Sequence, residues 1–117
     1  MEELKTFDAE KFMKHVLNKK DLANEIINIF FEDLNMFMGI IRSSIESGDY
    51  ATLRKTAHRL KGSSINVSAE KLSALFFKLE TIGKANSIVG ANAVLDELFT
   101  EIEGFKAEIS SWKTASH

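Results

Sequence analysis

The chain has 117 residues, of which 44% are hydrophobic and 27% charged, and these proportions are typical of one soluble globular domain. It contains no cysteine, which excludes disulfides and thiolate metal sites, and no proline, so nothing interrupts long helices. The formal net charge of −2 argues against a general nucleic-acid-binding protein. We therefore expect a single all-α domain over residues 1–117.

Two helices are predicted in the N-terminal half. The first runs from about Phe7 to Leu17 with Thr6 or Asp8 as its N-cap, and its apolar residues are Phe12, Met13, Val16 and Leu17. Asp21 is predicted to cap a long second helix, which ends at Gly48 because glycine readily adopts the left-handed conformation at a helix C-terminus. Its apolar residues recur at helical spacing: Leu22, Ile26, Ile29 or Phe30, Leu34, Phe37, Ile41 and Ile45.

Three further helices are predicted in the C-terminal half. The third starts near Asp49, and its core face consists of Leu53, Ala57, Leu60, Ser64 and Val67. Ser68 is predicted to cap the fourth, which Gly83 ends, and whose apolar residues are Leu72, Leu75, Phe76, Leu79 and Ile82. The last helix carries Ala91, Leu95, Leu98, Ile102, Phe105, Ile109 and Trp112. Short connections between long amphipathic helices predict an antiparallel four-helix bundle with an additional short N-terminal helix.

The common enzyme motifs do not occur in the sequence. It contains no glycine-rich phosphate-binding loop, no H-E-x-x-H metal motif and no G-x-S-x-G nucleophile motif. The three histidines, His15, His58 and His117, are too far apart for a local metal site. We therefore expect no metal or cofactor bound by this chain and no catalytic machinery of its own.

No segment approaches the roughly 20 apolar residues that cross a bilayer. The acidic N-terminus also lacks the apolar run of a secretory signal. From these two features we expect a cytoplasmic protein that does not associate with membranes.

The charges of the chain are unevenly distributed. Between Tyr50 and Ala69 there is no acidic residue, and the basic residues in this segment are Arg54, Lys55, Arg59 and Lys61. A local concentration of positive charge favours contact with an anionic group. A solvated helix face without a function would explain the same charges.

His58 lies in this basic segment, away from the core face of the third helix. With Leu53 at 0° on a helical wheel, the apolar residues cluster near 0°, whereas His58 is at about 140°. Arg54 and Lys61 share its stripe. A neutral exposed imidazole is a competent nucleophile at neutral pH. The alternative interpretation is an exposed histidine without a function.

Gly62 follows His58 by one helical turn. Glycine inside a helix costs about 1 kcal/mol relative to alanine, so its presence needs a reason. The missing side chain would let another macromolecule approach the imidazole closely. If His58 accepted a phosphoryl group, Lys61 and Arg54 would lie within reach of the new negative charge. These residues predict a phosphoryl acceptor whose catalytic groups come from a partner.

The segment from Ala57 to Ser64 reads A-H-R-L-K-G-S-S, and Ala69, Leu72 and Glu80 follow it at fixed distances. In these features the chain resembles the histidine-containing phosphotransfer (HPt) domain of two-component phosphorelays, whose core motif is A-H-x-L-K-G-S-S. The resemblance extends over about residues 7 to 112, and every fixed position of the core motif is matched.

The resemblance implies a role for each matching residue. His58 would be phosphorylated on a ring nitrogen, Lys61 would support the phosphoryl group, and Gly62 would leave room for the receiver domain. Glu80 occupies the position where the family has Gln or Glu, and it would orient the imidazole by accepting a hydrogen bond from one ring nitrogen. On the helical wheel Glu80 lies off the apolar set of its helix, which makes this role feasible. The alternative is a solvated surface acid.

The resemblance has one departure and one open point. Many members have glycine where this chain has Ser68. This position lies in the turn between the third and fourth helices, so the departure concerns the geometry of the turn and not the chemistry of the site. Ile65, Met13 and Phe77 are candidates for a receiver-docking patch, although Met13 is equally explained as core and Phe77 as the edge of the core.

The expected function is that of a phosphorelay intermediate, which takes a phosphoryl group from a receiver aspartate and passes it to another receiver. The partners would be response-regulator receiver domains, which bring Mg²⁺, and a hybrid sensor histidine kinase; we expect a monomer. Two alternatives remain at this point. One is an adaptor bundle that docks a receiver or kinase without transferring phosphate. The other is the phosphorylatable domain of a larger histidine kinase, although the initial Met1 and the lack of a kinase motif favour a free-standing protein.

Overall fold

A computed structural model describes residues 3–115, and this part of the chain forms five helices. Their bounds are Ala9–His15 (α1), Lys20–Ser47 (α2), Tyr50–Asn66 (α3), Glu70–Lys84 (α4) and Ala91–Ala115 (α5). The four longer helices form the antiparallel bundle and α1 is the additional short helix, as predicted. No helix among the described residues is long and apolar enough to cross a membrane.

The bundle closes around one apolar core. Helix α3 packs between α2 and α4, and α5 packs against α4 and α2. The largest side chains that are fully buried are Phe12, Phe30, Phe76 and Phe105. The predicted core face of α3 is confirmed, because each of its five apolar or small residues is buried; on α5, all the predicted core residues are buried except Trp112, which is partly buried.

The segment before α1 (residues 3–8) lies against the turn between α3 and α4. The amide of Asp8 donates to the carbonyl of Ser68 at 3.0 Å, and the amide of Lys71 donates to the carbonyl of Lys5 at 3.1 Å. Asp8 also caps α1, because its side chain accepts a hydrogen bond from the amide of Lys11 at 3.1 Å. Of the two predicted caps, Asp8 is therefore the one used.

The connection between α1 and α2 differs from the prediction. Helix α1 ends at His15, and Leu17 is 72% exposed instead of belonging to the apolar face. Leu17 and Asn18 have φ values of 56° and 58°, so a turn of left-handed residues replaces the last predicted turn of helix. Helix α2 then begins at Lys20, and Asp21 lies inside its first turn, where a carboxylate still interacts favourably with the helix dipole.

The rotation of α2 also differs from the prediction, because Leu22 is exposed and Ala23 is buried in its place. Helix α2 carries apolar residues on more than one face, so spacing alone does not select the buried face. The ring of Phe30 packs edge-on against Phe105 at 5.3 Å between centroids, and Ile29 faces solvent. Phe30 therefore belongs to the buried face of α2, and Ile29 does not.

Two predictions at the ends of α4 are wrong. Ser68 does not cap the helix; Ala69 occupies the N-cap position without a side-chain bond, and Ser68 adopts a left-handed conformation with φ of 54°. Gly83 does not end the helix, which continues to Lys84, and the glycine is buried against α3. Gly83 lies where α4 approaches Tyr50 and Arg54 of α3 closely.

Candidate functional site

His58 projects from the middle of α3 toward the adjacent α4. Its side chain is 67% exposed, and its Nδ1 atom lies 2.8 Å from Oε2 of Glu80. An ionised carboxylate has no proton to donate, so the hydrogen of this bond must reside on Nδ1 of the imidazole. In the neutral ring, Nε2 therefore carries the free lone pair.

Glu80 is a buried carboxylate whose side chain is only 5% exposed. Oε1 accepts a hydrogen bond from Nζ of Lys61 at 2.7 Å, and Nζ of Lys84 lies 3.7 Å from Oε2. Burial raises the pKa of Glu80, but the hydrogen bonds from Lys61 and His58 outweigh it and leave the pKa below its ordinary value. Glu80 is therefore ionised at neutral pH.

The burial of Glu80 corrects the prediction that this residue lies off the core face of its helix. Glu80 follows the buried Phe76 by four residues and precedes the buried Gly83 by three. Glu80 and Gly83 lie on the side of α4 that faces α3. A carboxylate is tolerated there because two charged or polar side chains from α3 bind its oxygens.

Lys61 connects the imidazole site to a neighbouring aromatic residue. Its side chain is 24% exposed, and its ammonium group lies over the ring of Phe77 at 5.1 Å from the centroid. The contact with Phe77 and the hydrogen bond to Glu80 together hold the ammonium beside the imidazole.

Gly62 and Arg54 lie on the exposed side of α3, as the sequence predicts. A Cβ atom at Gly62 would meet no other atom within 4 Å, so the surface one turn beyond His58 is open. Arg54 is exposed, and its side chain forms no hydrogen bond or ion pair with any residue between 3 and 115. Its guanidinium is thus available to an external anion.

A second polar cluster, which the sequence analysis did not identify, joins α3 to α2. Ser63 of the core motif donates a hydrogen bond from Oγ to Oδ2 of Asp33 at 3.1 Å. Arg59 lies 3.8 Å from Oδ1 of the same carboxylate, and its guanidinium covers the ring of Phe37 at 4.5 Å. Asp33 is far from the motif in sequence, and only the packing of α2 against α3 reveals its role.

A groove of about 340 Å³ begins beside Lys61. Ile65 and Phe77 line it, together with Leu4 from the segment before α1. Ile65 is 60% exposed and Phe77 is 53% exposed. Met13, the third docking candidate, is half-buried, packs against the core and does not line this groove.

No group of three metal-ligating side chains that could hold an ion is found between residues 3 and 115. His15 is exposed at the end of α1, and His117 lies outside the described residues. The chemistry available to the described site is therefore that of one imidazole, one carboxylate and the neighbouring basic groups.

Comparisons with known proteins agree with this geometry. The chain is similar to the histidine-containing phosphotransfer protein 2 of Arabidopsis thaliana, with 25% identity over 92 residues. The similarity covers 76% of this chain and 59% of the relative, so the chain spans about three fifths of that protein's length. No solved structure gives a significant match. A family model described as Hpt domain matches residues 25–109, which include all of α3 and α4. The chain therefore belongs to the Hpt domain family.

Proposed function

We propose that this domain is a phosphorelay intermediate, which accepts a phosphoryl group on Nε2 of His58 from a receiver-domain aspartate and passes it to another receiver. The observation that carries the proposal is the hydrogen bond between Nδ1 of His58 and the buried carboxylate of Glu80. It directs the lone pair of the exposed nitrogen away from the bundle, where a partner's phosphoryl group can reach it.

In the proposed step, the lone pair of Nε2 attacks the phosphorus of the partner's aspartyl phosphate. The new N–P bond forms as the P–O bond to the aspartate breaks, and the electron pair of that bond remains on the released carboxylate. The ring keeps its proton on Nδ1 and gains positive charge. Glu80 stabilises this charge because its ionised carboxylate accepts the Nδ1 proton in a hydrogen bond. Transfer to the next receiver reverses these bond changes.

Lys61 and Arg54 support the phosphoryl group in this proposal. The hydrogen bond from Lys61 to Glu80 places an ammonium group next to the imidazole before the phosphoryl group arrives. Arg54 lies one turn before His58 and has no internal partner among the described residues. Arg54 is exposed and Lys61 is partly exposed, so solvent screens both charges and each would contribute about 1 kcal/mol or less. The main catalytic groups and the Mg²⁺ would be those of the receiver. The domain would thus act as a carrier and not as an enzyme.

The receiver is proposed to dock over Gly62 and the groove beside Lys61. The open space at Gly62 permits close approach to His58, and the exposed apolar residues Ile65 and Phe77 provide contact area. A hybrid sensor histidine kinase would supply the phosphoryl group through its own receiver domain. We propose that the domain performs this role as a cytoplasmic monomer that binds receiver domains and no nucleic acid.

The test is incubation with a receiver domain phosphorylated on its aspartate. The wild type should gain acid-labile phosphate, and His58→Gln should gain none. His15→Gln is the matched control, since His15 is an exposed histidine at the end of α1 and should leave labelling unchanged. Equal labelling of His58→Gln would refute the proposal. Tight receiver binding without labelling of the wild type would indicate the phosphorylation-independent adaptor instead.

A further inference from the structure

We infer that Gly83 is a positioning residue for His58, because it permits the close approach of α4 to α3 that brings the carboxylate of Glu80 to the imidazole. The kinetic part of this inference rests on the proposed function. The structural part does not, because the hydrogen-bonding state of the imidazole can be measured without any phosphoryl transfer.

The space around Gly83 is smaller than a side chain requires. A Cβ atom at this position would lie 2.9 Å from the carbonyl oxygen of Tyr50 and 2.9 Å from Cβ of Arg54. It would also lie 3.0 Å from the backbone nitrogen of Arg54. Two of these three atoms belong to the backbone of α3, so a rotamer change cannot relieve the contact. The two helices would have to separate.

The close contact lies one turn from the functional hydrogen bond on both helices. Gly83 follows Glu80 by three residues on α4, and Arg54 precedes His58 by four on the antiparallel α3. Carbon atoms in ordinary van der Waals contact are about 3.5 to 4 Å apart, so a Cβ at residue 83 would push the helices apart by roughly 0.5 Å or more. Glu80 would move with its helix, and its 2.8 Å bond to Nδ1 would lengthen to a weak contact.

The other helical glycines distinguish this role from a general effect on helix stability. Gly104 in α5 and Gly39 in α2 have no other atom within 4 Å of a Cβ built at their positions. Alanine at such exposed positions stabilises a helix by up to about 1 kcal/mol. Gly83, by contrast, is buried where α4 packs against α3, so a Cβ at this position has no free space.

The first experiment compares the ring ¹⁵N shifts of His58 in the wild type, Gly83→Ala and the control Gly104→Ala. At a pH where the imidazole is neutral, the shifts of the wild type and of Gly104→Ala should report a ring protonated at Nδ1. In Gly83→Ala, they should move toward the mixture of tautomers that an unconstrained imidazole shows. Phosphorylation of His58 by phosphoramidate, which transfers its phosphoryl group to nitrogen and releases ammonia, should become roughly tenfold slower in Gly83→Ala.

A double-mutant cycle then separates positioning from a general structural effect. If Gly83 acts through Glu80, Gly83→Ala should change the shifts and the rate much less in a Glu80→Ala background than in the wild type. Equal effects in both backgrounds, or wild-type shifts in folded Gly83→Ala, would overturn the inference. If Gly83→Ala alone does not fold, it is made in the Gly104→Ala background, which has a more stable α5. Failure of the wild type to accept phosphate from any receiver would contradict the proposed function but leave the ¹⁵N comparison valid.

Discussion

Glu80 brings three side chains of the site together, because its two oxygens bind His58, Lys61 and Lys84. An amide at this position would accept the hydrogen bond from Nδ1 but would carry no charge. In the proposed transfer, the carboxylate would also balance the positive charge that the ring gains on phosphorylation. The cost of burying it is offset by the hydrogen bonds that both α3 side chains donate.

The lowered pKa of Glu80 predicts a specific loss of stability in acid. A carboxyl group whose pKa is lower in the folded state than in the unfolded chain stabilises the fold above the unfolded value. That contribution is lost as pH falls below about 4.5 and through the pKa of folded Glu80. Glu80→Gln should therefore lose less of its free energy of unfolding between pH 7 and pH 3 than the wild type, as measured by urea denaturation.

The matched control for this prediction is Glu25→Gln, which neutralises an exposed carboxylate on α2. It should retain the acid sensitivity of the wild type. If Glu80→Gln and the wild type show parallel stability profiles over this pH range, the ionised carboxylate does not contribute to folding as argued.

At the scale of single residues, the sequence predicted the groups that lie on one helix. The spacing of His58, Lys61 and Gly62 along α3 is enough to place them on one exposed stripe. The burial of Glu80 could not be derived in this way, because it depends on how closely α4 approaches α3. The contact between Ser63 and Asp33 likewise depends on the rotation of α2, which the spacing of its apolar residues leaves open.

The turn between α3 and α4 holds a non-glycine residue in a left-handed conformation. Ser68 has φ of 54°, and its side chain is largely buried. The segment before α1 binds to this turn, because the amide of Asp8 donates to the carbonyl of Ser68. The glycine that many family members have at this position would adopt such a φ without strain.

Ser68→Gly should therefore stabilise the domain. A left-handed conformation costs a non-glycine residue about 1 kcal/mol or more. The free energy gained by removing this strain exceeds the free-energy cost of the additional conformational entropy that glycine gives the unfolded chain. We expect an increase in the free energy of unfolding of roughly 0.5 to 1 kcal/mol, measured by urea denaturation at pH 7.

The same substitution in an ordinary helical position provides the control. Ser43→Gly, at an exposed site in α2, should destabilise the domain by about 0.5 kcal/mol because glycine is a poor helix former. A loss of stability in both variants would show that the side chain of Ser68 contributes more than its backbone strain costs.

The helices themselves were predictable to different degrees. The core faces of α3 and α5 follow from one regular repeat each, and the exposed apolar residues Ile65 of α3 and Phe99 of α5 lie outside these repeats. Helix α2 has apolar residues on several faces, and their spacing does not show that Phe30 instead of Ile29 packs against Phe105. The ends of α1 and α4 depend on left-handed turn residues, which residue type alone does not indicate for leucine and serine.

Across the whole molecule, two exposed apolar residues flank the contact between α3 and α4 near His58. They are Ile65 on α3 and Phe77 on α4. Ile65 and Phe77 line one groove together with Lys61, and the receiver is proposed to cover this groove when it reaches the imidazole. Apolar area beside a charged reactive centre is typical of an interface that combines contact area with electrostatic attraction.

Ile65→Asp should weaken binding of the receiver domain about tenfold or more, because it places a charge in the apolar part of the proposed interface. The affinity can be measured by isothermal titration calorimetry, and the circular dichroism spectrum should remain that of the wild type. Val89→Asp is the control, since Val89 is 84% exposed in the connection between α4 and α5. Unchanged affinity of Ile65→Asp would exclude the groove as the docking surface.

The aromatic cluster at the far end of α5 gives the molecule a built-in fluorescent reporter. Trp112, the single tryptophan of the chain, packs against Phe7 and Phe12 with ring centroids 5.6 and 6.2 Å apart. Its emission therefore reports whether the segment before α1 and α1 itself are docked on the bundle, while circular dichroism reports the helices as a whole. A fluorescence transition that precedes the dichroism transition on heating would identify undocking of this N-terminal part as a separate step.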